Sequence, residues 1–214
     1  MPLALTLKKP LIGVWKIDES WQELLSQIRF KELIINELST IKSETRRQEW
    51  LAVRLLTETI ACVRANIIYN KDGAPVLADS HLHISISHTK GFAAVILTET
   101  PAPGIDIEYH SPRAYRLRER FLNEQEQTIT NKQKQPKTKE NKEMDFATLL
   151  WCAKETAFKA LGHQEVDFKE HLHVIPFLPA DEGSFMLEET KTPYNQVFNI
   201  NYKITEDYIL TWKE

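Results

Sequence analysis

The chain has 214 residues, 42% of them hydrophobic, a formal net charge of −3 and a pI near 6.2. It can bury a real core, in one large domain or two small lobes, and its slight acidity gives no global reason to expect nucleic-acid binding. No apolar run approaches the roughly 18 residues of a membrane span, lysines interrupt any signal-peptide pattern in MPLALTLKKPLIGVW, and Cys62 and Cys152 are too few for a disulfide framework or a four-cysteine zinc site, so the expected setting is the cytoplasm with both thiols reduced.

LIGVWKI (11–17) predicts a strand, and the region from Trp21 to Leu38 one or two helices. A long helix is expected from about Thr45 to Ala65, because Ala52, Leu55, Leu56, Ile60 and Val63 recur at helical spacing. Thr45 with Gln48 fits a capping box at its start. NIIYNKDGAP reads as a strand running into a turn. HLHISISH (81–88) alternates, with Leu82, Ile84 and Ile86 on one face and His83, Ser85 and Ser87 on the other. FAAVIL (92–97) is a short continuous apolar run, as expected of a buried strand. The turn TETPAP leads into a further strand, GIDIE.

Pro112 to Phe121 then reads as helical, and Asn123 with Glu126 as the cap of another short helix. NKQKQPKTKENKEMD (131–145) is rich in Lys and Gln, and predicts a mobile surface loop. Asp145 is expected to cap a helix that runs to Leu161 and stops at Gly162. From about His171 the chain reads as short strands with turns at Pro179–Gly183 and Thr192–Asn195. Helices and strands, followed by helices and strands again, point to an α+β fold of two similar lobes, 1–103 and 104–214.

Three motifs carry chemistry. In GIDIEYH, Asp106 and Glu108 stand two residues apart on a strand, so they project to the same face. Like charges that close repel, and one carboxyl rises in pKa unless a cation lies between them. Mg²⁺ is such a cation: it takes oxygen ligands, commonly carboxylates together with substrate phosphates. A merely acidic exposed strand face is the plain alternative. In WCAKETAFKALG (151–162), Trp151, Glu155 and Lys159 fall on one helix face, with Lys154 adjacent. One Glu–Lys pair at that spacing is ordinarily solvated, but a partly buried face carrying both charges needs partners for them. In ISISHTKG (84–91), Ser87 and His88 end a strand. The spacing of His81, His83 and His88 matches no zinc-ligand pattern.

In this order, Ser87-His88, Gly104-Ile105-Asp106-Ile107-Glu108 and Trp151-x-x-Lys154-Glu155-x-x-x-Lys159 resemble the 4′-phosphopantetheinyl transferase superfamily. The length resembles its two-lobed branch, the type that activates surfactin synthetase. Arg47 and Arg54 look like that branch's basic helix positions, Pro75 like a proline after a family loop, and RFLNEQE (120–126) like its Arg-Phe-Phe…Glu segment. The position before the proline, often basic in the family, is Ala74, with Lys71 the nearest substitute.

The resemblance implies transfer of the phosphopantetheine arm of coenzyme A to a serine of an acyl or peptidyl carrier protein, with release of adenosine 3′,5′-bisphosphate. It also implies two similar lobes related by a pseudo-twofold axis, with coenzyme A in a cleft between them, and a monomer. Asp106, Glu108 and Glu155 would hold Mg²⁺, with Mn²⁺ as the other candidate ion. Lys159 would reach the phosphates, and Glu155 is also the candidate base. Ser87 and His88 are assigned to the nucleotide phosphates, His88 to the 3′-phosphate and, with Glu155 and Lys159, to the catalytic set; Arg47 and Arg54 would add charge for the phosphates, Lys71 and Pro75 belong to the coenzyme A site, and Lys154 either reaches phosphate there or lies in solvent. Trp151 reads as packing. SPRAYRLRERF (111–121), with Arg113, Arg116, Arg118 and Arg120, reads equally as complementary charge for an acidic carrier helix and as an ordinary amphipathic helix with basic surface residues. Two further readings stay open: a metal-dependent phosphohydrolase such as a pyrophosphatase, which needs the acids but no docking surface, and a non-catalytic module that binds coenzyme A or a carrier protein. Cys152 has no activating base nearby in sequence, so a thiol nucleophile is not expected.

Overall fold

A computed structural model describes residues 2–132, 142–162 and 165–214. In chain order the elements are β1 (Leu3–Lys8), β2 (Leu11–Lys16), α1 (Trp21–Gln27), a 3₁₀ turn (Lys31–Leu33), α2 (Ile35–Thr40), α3 (Glu44–Ala61), β3 (Ile67–Tyr69), β4 (Pro75–Leu77), β5 (His83–Thr89), β6 (Phe92–Thr98) and β7 (Gly104–Tyr109). There follow α4 (Arg113–Leu117), a second 3₁₀ turn (Arg118–Arg120), α5 (Glu124–Lys132), α6 (Lys142–Leu161), α7 (Phe168–His171), β8 (Leu172–Val174), β9 (Glu182–Glu189), β10 (Val197–Ile204) and β11 (Tyr208–Lys213). Mixed helices and antiparallel strands bear out an α+β fold. Among the described residues no helix is long and apolar enough to cross a membrane.

The chain divides into two compact units, Met1–Ile105 with Glu214, and Asp106–Lys213. The first contains a four-stranded sheet in the order β1-β2-β6-β5, with α3 packed on β2 and β6. Its core gathers Trp15, Leu24, Leu51, Leu55, Leu56, Val95 and Leu97. Gly13 sits where α3 crosses β2: a Cβ there would lie 2.5 Å from Leu56 Cδ1 and 2.9 Å from Ile60 Cγ2. The bare backbone therefore lets the helix lie close against the strand.

The second unit contains a five-stranded sheet in the order β7-β11-β10-β9-β8, with α6 packed on β11 and β10. Its core includes Phe121, Leu149, Leu150, Ala153, Leu187 and Ile200. Trp151 packs between Phe121 and Phe168, with ring centroids 5.1 and 5.5 Å away. Asn123 and Glu126 form the expected capping box: the Asn123 N–H donates to Glu126 Oε2, and the Glu126 N–H donates to Asn123 Oδ1, both at 2.9 Å.

Some boundaries differ from the sequence reading. The cap of α3 is Ser43, whose side chain accepts from the Arg46 N–H, so Thr45 lies inside the helix. The helix ends at Ala61, where Cys62 turns left-handed with φ 55°, short of Ala65. α6 begins at Lys142, so Asp145 lies within it rather than capping it. The expected loop over 131–145 is helical at both ends, and its residues 133–141 lie outside the described residues. Gly162 ends α6 as expected: its φ is +64° and its N–H donates to Phe158 O. β1 and β4 are additional strands.

One buried ion pair ties the second unit together. Lys154 is fully buried and donates to Phe121 O at 2.7 Å, Glu126 Oε2 at 2.7 Å and Phe168 O at 2.9 Å. Glu126 Oε1 accepts from the Val174 N–H at 2.9 Å. Burial pulls the Lys154 ammonium down from its ordinary pKa, and the Glu126 charge opposes that pull. Lys154→Met strands the Glu126 carboxylate without its cation, so urea unfolding is expected to show a loss of about 3–5 kcal/mol. Adding Glu126→Gln is expected to return part of that loss. A single variant within about 1 kcal/mol of the parent, the scale of a surface pair, would show that the pair carries little.

Candidate functional site

β7 enters the second unit with Asp106, and the alternation of the strand puts Asp106 and Glu108 on one side. That side meets α6. Lys159 Nζ donates to Asp106 Oδ1 at 2.8 Å, and Trp151 Nε1 donates to Glu108 Oε1 at 3.3 Å. Strand and helix thus run in opposite senses, Asp106 matching the later turn and Glu108 the earlier one. Glu155 lies on the same face, one helical turn from each of these two contacts. Ile105 and Ile107, on the other side of β7, are fully buried.

The electrostatics follow from this gathering. Burial, then the negative charge of Asp106, push the Glu155 carboxyl up to about 7; Lys159 opposes the shift and Glu108 adds to it. Cys152, buried beside Glu155's turn, has its thiol pushed well above the ordinary range, first by burial and then by the charges of Asp106 and Glu108. That favours the neutral thiol, and a neutral thiol is a poor nucleophile. Cys152 is therefore packing, as its helix position suggests.

Three carboxylates and an ammonium suit a hard cation and phosphate oxygens in kind. Among the described residues, no group of three or more His, Cys, Asp or Glu side chains closes into a metal-holding cluster. Lys159 already supplies positive charge to Asp106.

Lys154 leaves the candidate set. One residue along a helix is a rotation of about 100°, so Lys154 points away from Glu155 and spends its ammonium protons on Phe121, Glu126 and Phe168. At the end of β7 and the start of α4 a pocket of about 340 Å³ is lined by Tyr109, Ser111, Pro112, Arg113, Arg116 and Leu117. It combines exposed guanidinium groups with the partly exposed apolar surface of Tyr109 and Leu117. Arg118 instead lies over the Tyr115 ring, 4.2 Å from its centroid, and donates to Tyr115 O.

In the first unit His88 is brought to the N-terminal end of α3. Its Nε2 lies 2.5 Å from Arg46 Nη1, and its Nδ1 lies 3.4 Å from Glu49 Oε2. Ser87 does not share this surface: it is buried, and successive residues of β5 face opposite sides. The serine face of β5 is an inner one, where Ser85 Oγ accepts from the Ile105 N–H at 3.3 Å.

The two arginines expected on the long helix fare differently. Arg54 is 2% exposed, with its guanidinium carbon 3.3 Å from the Trp50 ring centroid and donations to Trp50 O, Ile67 O and Glu37 Oε2. Burial lowers its pKa to about 10. It is a structural cation, not a surface for phosphates. Arg47 is half-buried, lies over Trp21 and donates from Nε to Ile41 O at 2.6 Å. Lys71 is exposed in the turn between β3 and β4, and Pro75 opens β4 opposite Tyr69. Arg46 and Glu49 were outside the sequence-derived set. Their spacing of three along α3, on one face near its start, is the signal that could have found them.

A Glu carboxyl held near 7 in the folded chain and at its ordinary 4.5 in the unfolded one binds its proton more tightly when folded. Its stabilising effect is complete below about pH 4.5 and is lost as pH rises towards about 7. The metal-free protein is therefore expected to lose stability across that window, and Glu155→Gln to lose less, as read from urea midpoints at both ends. Equal slopes for the two proteins would remove Glu155 as the perturbed group.

A model of the 4′-phosphopantetheinyl transferase superfamily matches residues 102–213, more than half of the chain. No curated protein matches it.

Proposed function

The chain belongs to the 4′-phosphopantetheinyl transferase superfamily, and from that membership we propose that it transfers 4′-phosphopantetheine from coenzyme A to a serine of an apo acyl or peptidyl carrier protein. The observation that carries the reading is the facing of Asp106 and Glu108 on β7 by Glu155 and Lys159 on α6. We place it with the two-lobed, surfactin-synthetase-activating type, acting as a monomer.

The serine oxygen attacks the phosphorus next to the pantetheine arm. The bond to the other phosphate breaks, and adenosine 3′,5′-bisphosphate leaves. Asp106, Glu108 and Glu155 would hold Mg²⁺, or Mn²⁺ in its place, which would supply positive charge to the pyrophosphate. Lys159 offers a second, fixed cation for the phosphates. Glu155, with its carboxyl near 7, is matched to accepting the serine proton at neutral pH. Ligation and base duty compete, because a bound metal lowers a carboxylate's basicity.

In the first unit, Arg46 joins His88 and Arg47 as candidate contacts for the nucleotide phosphates, and Lys71 and Pro75 for the adenine side. Ser87 is buried, which favours a role for its backbone rather than its hydroxyl. Arg113 and Arg116, with Tyr109 and Leu117, fit an acidic, partly apolar carrier helix.

Intact-protein mass spectrometry of an apo carrier incubated with this protein, coenzyme A and Mg²⁺ tests the reading. A phosphopantetheine adduct that EDTA prevents is expected. Asp106→Ala is expected to abolish it while the circular dichroism spectrum stays that of the parent. Consumption of coenzyme A with no adduct would identify a hydrolase instead. Intact coenzyme A with several unrelated carriers would identify a binding module.

A further inference from the structure

We propose that Glu49 is a positioning residue that orients His88 and Arg46 for an anionic phosphate on the first unit. This rests on the reading of His88 as a phosphate contact. A guanidinium has donors and no acceptor. Arg46 Nη1 stands 2.5 Å from His88 Nε2, so Nε2 must accept, and the ring carries its proton on Nδ1. Nδ1 faces Glu49 Oε2 at 3.4 Å. The same oxygen stands 3.4 Å from Arg46 Nη1. One carboxylate oxygen thus lies against both partners.

The three side chains come from two elements that the packing fixes: Arg46 and Glu49 from one face of α3, and His88 from the end of β5. Their exposure rises outwards, with side chains 18% exposed for Glu49, 35% for His88 and 49% for Arg46. The anion therefore meets Arg46 and His88 first, and the carboxylate lies behind them. With Nη1 set between His88 Nε2 and Glu49 Oε2, the Arg46 guanidinium turns its other donors to the anion. A neutral histidine side chain in water prefers its proton on Nε2, so the arrangement holds His88 in the less common tautomer. This is the carboxylate–histidine logic by which an acceptor on one ring nitrogen sets what the other can do.

The proposal makes a prediction whose sign is opposite to that of simple charge. Removing a carboxylate from beside an anion site should tighten anion binding by Coulomb's law. Removing an orienting carboxylate should weaken it, by about tenfold for one charge-assisted hydrogen bond.

Long-range ¹H–¹⁵N correlation spectra of the full chain are expected to show His88 with its proton on Nδ1 in the parent. They should show the same tautomer in Glu49→Ala, because Arg46 still donates to Nε2, with the His88 ring signals shifted and broadened by the lost carboxylate, and less so in Glu49→Gln. Calorimetry with inorganic pyrophosphate is expected to show the weaker binding in Glu49→Ala, and no further weakening when that change is made in a His88→Ala background. In turnover the KM for coenzyme A should rise about as much, with kcat unchanged. An Nε2 proton in the parent, tighter pyrophosphate binding in Glu49→Ala, or an equal loss in the His88→Ala background would each overturn the proposal. The tautomer and pyrophosphate readings do not need turnover, so they stand or fall separately from the transferase reading.

Discussion

The second unit depends on a lysine ammonium that never meets water. Lys154 leaves one side of α6 and binds three acceptors, from the end of the 3₁₀ turn, from the cap of α5 and from α7. A helix anchored in this way cannot rotate about its axis without breaking a charged contact in a low-dielectric interior, where such breaks cost most. Glu155 and Lys159 lie on a different face of the same helix. Their approach to β7 is therefore set from behind, by a pair that touches neither of them.

That anchoring gives the acidic site its electrostatic character. Asp106 is almost wholly buried and Glu155 partly so, yet both stand among like charges. Lys159 brings a cation to the cluster, 2.8 Å from Asp106 Oδ1, and opposes the upward shift of Glu155. The perturbed Glu155 and the inert Cys152 are two consequences of the same cluster: the negative field that raises one carboxyl also raises the thiol beside it.

The first unit solves a related problem differently. Arg54 and Arg46 lie on the same helix, eight residues apart, and meet different partners. Arg54 meets Trp50 and the carbonyls of Trp50 and Ile67, and becomes part of the interior. Arg46, on the exposed first turns, meets His88 instead. Composition treats these arginines as equal; packing separates a buried structural cation from one on the exposed surface.

Most elements were legible because their signals are local. The alternation in GIDIE, the continuous run FAAVIL, the Asn123–Glu126 cap and the stop at Gly162 each act within a few residues. β1 lies outside the sequence reading, although Leu3, Leu5 and Leu7 alternate there and are half-buried. The same-face relation of Asp106 with Glu108, and of Trp151 with Glu155 and Lys159, follows from strand and helix periods alone. What the sequence could not carry is which of two neighbouring charges points inwards. Lys154 and Lys159 read alike as helix lysines, and Arg46, Arg47 and Arg54 as helix arginines. Their partners, Glu126, Asp106, His88, Ile41 and Trp50, lie from 4 to 53 residues away in the chain. Periodicity fixes the face a residue occupies; only the tertiary packing fixes what that face meets, because burial and pairing depend on contacts between elements distant in sequence.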